Sequence, residues 1–180
     1  MGKIYETITP ELEEWIARQR MFFVATSPLS SDGHVNCSPK GLDSLRVLGP
    51  TCVAYQDLTG SGIETVAHIK ENGRIVIMFC AFEGPPRIVR LYGRGRAIEH
   101  GTVEFEQLAR KFYDRPDARS FVQVELTRIA DSCGYGVPLY EFTGERETLT
   151  VWAEKQGFEK VEAYRATHNR RSIDGLRGLD

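Results

Sequence analysis

Three things are missing from this sequence, and each removes a class of function. There is no surplus of positive charge: 23 Lys and Arg stand against 25 Asp and Glu, a net charge of −2. A nucleic-acid binder that works through its overall charge carries an excess of cations. There is no long apolar run. The longest, Ile75 to Phe82, has eight residues, whereas a helix needs about 20 to cross a bilayer. The acidic opening, with Glu6, Glu11, Glu13 and Glu14, does not resemble a secretory leader. Finally, the four cysteines (Cys37, Cys52, Cys80 and Cys133) form no CxxC pair. That argues against a disulfide framework or a zinc site and for reduced thiols in a cytoplasmic protein. His34, His68, His100 and His168 have no metal-ligand spacing, so no metal is expected.

What is present is ordinary globular composition, with 41% hydrophobic and 27% charged residues. A chain of this length buries roughly 70% of its unfolded surface and needs no staple. No repeat, linker or low-complexity segment interrupts it. The expectation is one domain over residues 1–180, with a helical C-terminal extension from about residue 145.

The periodicity predicts a helix over Thr9–Arg18, with Thr9 as cap, Pro10 at the first helical position and Leu12, Trp15 and Ile16 as its apolar stripe. Strands are predicted at Met21–Thr26, His34–Ser38, Cys52–Tyr55, Arg74–Phe82, Arg87–Glu99 and Ser120–Arg128. The unalternating run Arg74–Phe82 implies cover on both faces. Shorter helices are predicted at Ile63–Glu71, stopped by Asn72-Gly73, and at Thr102–Phe112. Helical spacing returns around Leu149–Ala153 and Phe158–Ala166. The polar, Gly-rich end from Asn169 to Asp180 is expected to lie over the surface or against a partner chain. Strands in this order do not form a regular βαβ alternation, which points to a mainly β, antiparallel small barrel with peripheral helices.

Four stretches could carry chemistry. In Tyr55-Gln56-Asp57-Leu58-Thr59-Gly60-Ser61-Gly62-Ile63-Glu64-Thr65 a strand passes through glycines into a helix. Ser61 and Glu64 have capping-box spacing. The same turn could present backbone N–H groups to a phosphate, with Thr65 adding a hydroxyl, or it could simply be a capped helix start. In His34-Val35-Asn36-Cys37-Ser38-Pro39-Lys40-Gly41, alternation puts His34, Asn36, Ser38 and Lys40 on one face. If the apolar face looks into the barrel, this polar face meets water, a partner or a ligand. In Arg87–Arg96, alternation groups Arg90, Tyr92, Arg94 and Arg96, either as a phosphate clamp or as an outward face of weak ion pairs. Asp131-Ser132-Cys133-Gly134-Tyr135-Gly136-Val137-Pro138 is turn-rich, and its thiol has no neighbouring base in sequence.

Taken in order, these four stretches resemble the pyridoxamine 5′-phosphate oxidase-like family of FMN-binding split β-barrels, over roughly residues 8–140. The tail Asn169 with Ser172-Ile173-Asp174-Gly175-Leu176 is similar to endings in one uncharacterised branch of it. The resemblance implies a six-stranded antiparallel split barrel, a homodimer and FMN in each of two clefts at the interface. It further implies an FMN-dependent oxidoreductase acting on a small-molecule substrate or electron donor, with no nucleic acid or membrane partner. Carried over by position, Asn36, Ser38, Pro39 and Lys40 lie along the flavin and Tyr55 sits on an adjacent strand. Ser61, Gly62 and Thr65 hold the phosphate, and Arg90 is a further contact. The chain departs from the namesake enzyme, whose phosphate loop has an Arg-Lys pair where this one has Gly62-Ile63. That enzyme's basic C-terminal segment has no match in Ser172–Asp180. The resemblance therefore extends to the family and not to oxidation of pyridoxamine phosphate. No residue presents itself as a catalytic acid or base. A non-catalytic flavin module, or a deazaflavin- or haem-binding protein on the same barrel, remains an alternative.

Overall fold

The computed structural model describes residues 2–180. Its elements follow in the order β1 (Ile4–Tyr5), α1 (Pro10–Ala17), β2 (Phe22–Thr26), β3 (Asn36–Lys40), β4 (Leu45–Gly49), β5 (Cys52–Leu58), α2 (Glu64–Asn72), β6 (Arg74–Cys80), β7 (Ile88–Glu99), α3 (Val103–Ala109), β8 (Ala118–Ser132), α4 (Thr148–Gln156) and α5 (Phe158–His168). All strand pairs are antiparallel, in the order β3-β2-β6-β7-β8-β5-β4, with β1 added to β8. The sheet thus has eight strands rather than the six expected. The additions are the two-residue β1 and β4, whose Leu45-Arg46-Val47-Leu48-Gly49 carries too little alternation to register as a strand.

The sheet curls so that β3, at one end of the order, meets β5 near the other end through side chains. The Lys40 ammonium donates to the Asp57 carboxylate at 3.1 Å. This seam is where the barrel is split. Inside lies the main core, built from the inward-facing residues of each strand, among them Phe22 and Val24 (β2), Val53 and Tyr55 (β5), Ile77 and Phe79 (β6), Leu91 (β7) and Val122 (β8). Helix α1 closes one side with Leu12 and Ile16, and its cap is the expected one: the Thr9 side chain accepts from the Leu12 amide. Helix α2 also contributes Ile69 to the core, and it stops at Gly73, whose φ of 71° is the left-handed conformation glycine adopts freely. On β7, Gly93 is required for a different reason. A Cβ there would collide with the Glu125 carbonyl of β8, at the point where the β7–β8 register shifts.

The outer sheet face is less covered than the run Arg74–Phe82 implied. Ile75, Ile77 and Phe79 are core, while Val76 and Met78 stay half-buried. Their cross-strand neighbours Phe23 and Ala25 are also half-buried, and Tyr92 is exposed. No helix among the described residues is long and apolar enough to cross a membrane.

Candidate functional site

The polar residues of β3 face the opposite way from the first expectation. Asn36, Ser38 and Lys40 turn toward α2 and β5, and Val35, Cys37 and Pro39 are exposed. The reason is chemical. Asp57 is a fully buried carboxylate on β5 and needs cations, and Lys40 supplies one of them. The other is the buried Arg119 on β8, which donates from Nε at 2.8 Å. Ser120 adds a longer bond of 3.3 Å. Burial opposes ionisation of Asp57, but Arg119 and Lys40 outweigh it and hold the carboxyl down at about 2.

Further along β3, the Asn36 side-chain amide donates to the Thr65 hydroxyl in the first turn of α2 at 2.9 Å, and Ser38 donates to the Asn36 carbonyl at 3.1 Å. Beside Thr65 lies Tyr55, fully buried, whose hydroxyl has no hydrogen-bond partner among the described residues. Burial, and after it the Asp57 charge, push that phenol well above its ordinary range, so it stays a neutral donor. Asn36, Ser38, Lys40, Tyr55 and Thr65 are therefore brought together along one seam.

At the Asn36 end the seam opens into a cavity of about 660 Å³, lined by Asn36, Ser61, Gly62 and Glu64, together with Arg171 and Ile173 of the tail. Ser61 and Gly62 are exposed there, in the turn before α2. The expected Ser61–Glu64 capping box does not form. Ile63 occupies the N-cap position without a side-chain bond, and Glu64 instead accepts from the Ile173 amide at 3.3 Å. The tail thus competes for the carboxylate that the capping box would use. Two further groups fix this turn through the Gly60 carbonyl: Arg119 at 3.1 Å and the Asn169 side chain at 2.8 Å.

The tail itself is a tight hairpin. Arg170 pairs with Gly178, and Ser172 with Leu176. At its tip Asp174 accepts from both the backbone and the ring nitrogen of His34, at 2.8 and 2.7 Å. Those bonds to His34 hold the Asp174 carboxyl below its ordinary range.

Two predicted site residues stand apart. Pro39 is on the exposed side of β3 and lines a second cavity. Arg90 is on β7, with Phe23 of β2 and Met78 of β6 between it and Pro39 in the cross-strand row, and it donates to Ser132. Its neighbours Arg94 and Arg96 bond the Asn72 carbonyl and Glu104 respectively. Of the arginines of β7 only Arg96 makes an ion pair, with Glu104, while Arg90 and Arg94 bond neutral groups, so they form neither a clamp nor a full ion-pair face. Residues that sequence reasoning passed over are Asp57, Arg119 and Asn169. Asp57 had a signal: an acid inside a strand otherwise fit for burial. Arg119 had none, since its role depends on β8 lying next to β5.

The profile of the family described as pyridoxamine 5′-phosphate oxidase matches residues 8–133. The chain is 38% identical, over 198 aligned positions, to the pyridoxamine 5′-phosphate oxidase family protein ustO of Aspergillus flavus, covering 99% of this chain and 78% of that protein. Among solved structures, HupZ of Group A Streptococcus superposes with a TM-score of 0.53 and 25% identity, over 68% of this chain and 91% of HupZ. An FAD binding protein from Mycobacterium smegmatis superposes with a TM-score of 0.51 and 15% identity, over 72% of this chain and 96% of that one. At that identity the likeness is one of fold.

Proposed function

Because the chain belongs to the pyridoxamine 5′-phosphate oxidase family, we propose that it is a flavin-binding protein, that the flavin is FMN, and that it serves as an oxidoreductase. The observation that carries this reading is the seam: Asn36, Ser38 and Lys40 lie in a row along β3, Lys40 bonded to β5 and Asn36 to the first turn of α2, and the row ends at a cavity of about 660 Å³. That volume is within the usual range for a small-molecule site, roughly 300–1,000 Å³. The residues suit the group. Asn36 and Ser61 supply neutral donors and Arg171 a guanidinium, with Glu64 the one carboxylate among the lining residues.

A bound flavin supplies two-electron chemistry that side chains lack. The chain's part is to hold and bias it. Asn36 and Ser38 offer hydrogen bonds along the strand, and Ser61, Gly62 and Thr65 form the phosphate end. Lys40 is the cation of the row, with its charge shared with Asp57. The charged groups of the seam are bonded together, Lys40 and Arg119 to Asp57, and burial keeps the Tyr55 phenol neutral. Turnover therefore rests on the flavin and on what reaches it.

A homodimer is part of the same reading. Its support is the half-buried row Phe23, Ala25, Val76 and Met78 on the outer sheet face, an apolar surface of the kind that a second copy covers. The test is direct. The purified protein is expected to show flavin absorption bands, and mass spectrometry of the released ligand to give FMN. A haem spectrum, or no chromophore even after incubation with FMN, would overturn the assignment. Bleaching by a nicotinamide donor then separates an oxidoreductase from a flavin carrier.

A further inference from the structure

A larger cavity lies elsewhere. It lies at the Lys40 end of β3, measures about 990 Å³, and is lined by Trp15 of α1, the Phe82–Arg87 loop between β6 and β7, the segment 140–146 and the start of α4. We propose that this chamber binds a small amphipathic acid, with a flat apolar body and one anionic group.

The body follows from the walls. Trp15, Met21, Pro39, Phe82, Tyr140 and Phe142 all face the chamber. Water against such a surface finds few hydrogen-bond partners, so an apolar ligand that displaces it gains the full burial of its own surface. Flatness follows from the aromatic rings. Phe82 and Tyr140 are packed against each other at 5.3 Å between centroids, and aromatic pairs of this kind accept a further ring in offset or edge-on contact.

The segment carrying Tyr140 and Phe142 is attached as a cover. The Tyr140 amide donates to the Phe82 carbonyl at 2.9 Å and the Phe142 amide to the Glu83 carboxylate at 3.1 Å. Tyr140 itself is 62% exposed and Phe142 is 40% exposed. These rings have an anchored backbone and a side chain without a full apolar partner, which a ligand would complete.

The anion follows from the charges. Of the cations lining the chamber, Lys40 is bonded to Asp57 and Arg87 to Asp131. Arg18, Arg20 and Arg146 have no ion pair among the described residues. Arg20 lies over the Phe142 ring at 5.0 Å, so its charge is held directly above the aromatic wall. The carboxylates of Glu83, Glu141 and Glu145 also line the chamber, so its charge is balanced overall, and the place for an anion is set by the unpaired Arg20 guanidinium held against the Phe142 ring. A guanidinium above an aromatic wall matches a carboxylate or sulfonate carried on a ring.

The chamber meets the seam at Lys40, so its occupant would sit at the far end of the strand from the Ser61–Gly62 turn. The inference does not require that a flavin be bound, and its test reads binding alone. The probe is 8-anilinonaphthalene-1-sulfonate, titrated by fluorescence into the folded protein in parallel with the neutral N-phenyl-1-naphthylamine. Saturable binding at one probe per chain is expected, with the sulfonate the tighter of the two. Tyr140→Ala and Phe142→Ala should each weaken both probes by about fivefold to tenfold, and Arg20→Gln should weaken only the sulfonate. Both rings are exposed, so these truncations leave the core intact, and unchanged circular dichroism verifies that. Non-saturable binding, or binding indifferent to both ring truncations, would overturn the site. Equal affinity for the two probes would overturn its preference for an anion.

Discussion

Asp57 is the residue on which the seam depends. It is fully buried, with Arg119 and Lys40 as its cations. Its carboxyl is held at about 2 in the folded chain, against about 3.9 when unfolded. The unfolded chain takes up the proton more readily, so the stabilisation is complete above about pH 4 and is lost as pH falls through about 2. A loss of about 2–3 kcal/mol is expected over that range, measured by urea denaturation at stepped pH, and Asp57→Asn should flatten the curve. Arg119→Met leaves a buried carboxylate with one cation and should cost about 3–5 kcal/mol. Lys40→Met should cost less, because Lys40 is partly exposed and the Arg119 bond remains. At the other end, Asn36→Ala with Thr65→Ala should lower FMN affinity by about 1–3 kcal/mol in total, read by flavin fluorescence quenching, if the pair faces the ligand as proposed. Of these residues, Asn36, Lys40 and Thr65 could be picked out from strand alternation and from the Gly-rich turn. The sense of the alternation could not, because it depends on a buried acid of β5 that meets β3 only across the seam.

Among the elements, the helices were the most legible, since caps and stops are local: Thr9, Thr102 and Gly73 act where their types suggest. The start of α2 was misread for a non-local reason. Glu64 is drawn to the Ile173 amide, 109 positions away in sequence, and not to its own cap. Strand β4 was missed because its pairing with β5, including a register shift near Gly49, supplies what its sequence pattern lacks. The tail hairpin makes its own prediction. Gly178 packs so closely that a Cβ would collide with the Asn169 carbonyl and press on Ile63. Gly178→Ala should therefore loosen the hairpin from the turn it secures. Hydrogen exchange should quicken at the amides of residues 60–65 and 170–179 while the β6–β7 pair stays protected. Asp174→Ala, which removes only the His34 contacts, should free the hairpin tip and leave the Asn169–Gly60 bond in place.

For the whole molecule, the antiparallel barrel class was legible from the order of elements, and closure through the β3–β5 seam was not, since it rests on side chains far apart in sequence. The outer face of β2 and β6 leads to a prediction on assembly. Met78→Arg places a charge in the half-buried row, and light scattering after gel filtration should then give a single-chain mass, against the two-chain mass expected for the wild type if the proposed dimer forms. An unchanged mass would remove that face from the interface. The bond between His34 and Asp174 spans 140 positions, and it has a consequence for how the protein is made. As the nascent chain leaves the ribosome, every strand is already outside before the tail residues that line the Ser61–Gly62 turn emerge. The barrel can thus assemble during translation before the hairpin comes to lie beside that turn, and the site is completed last.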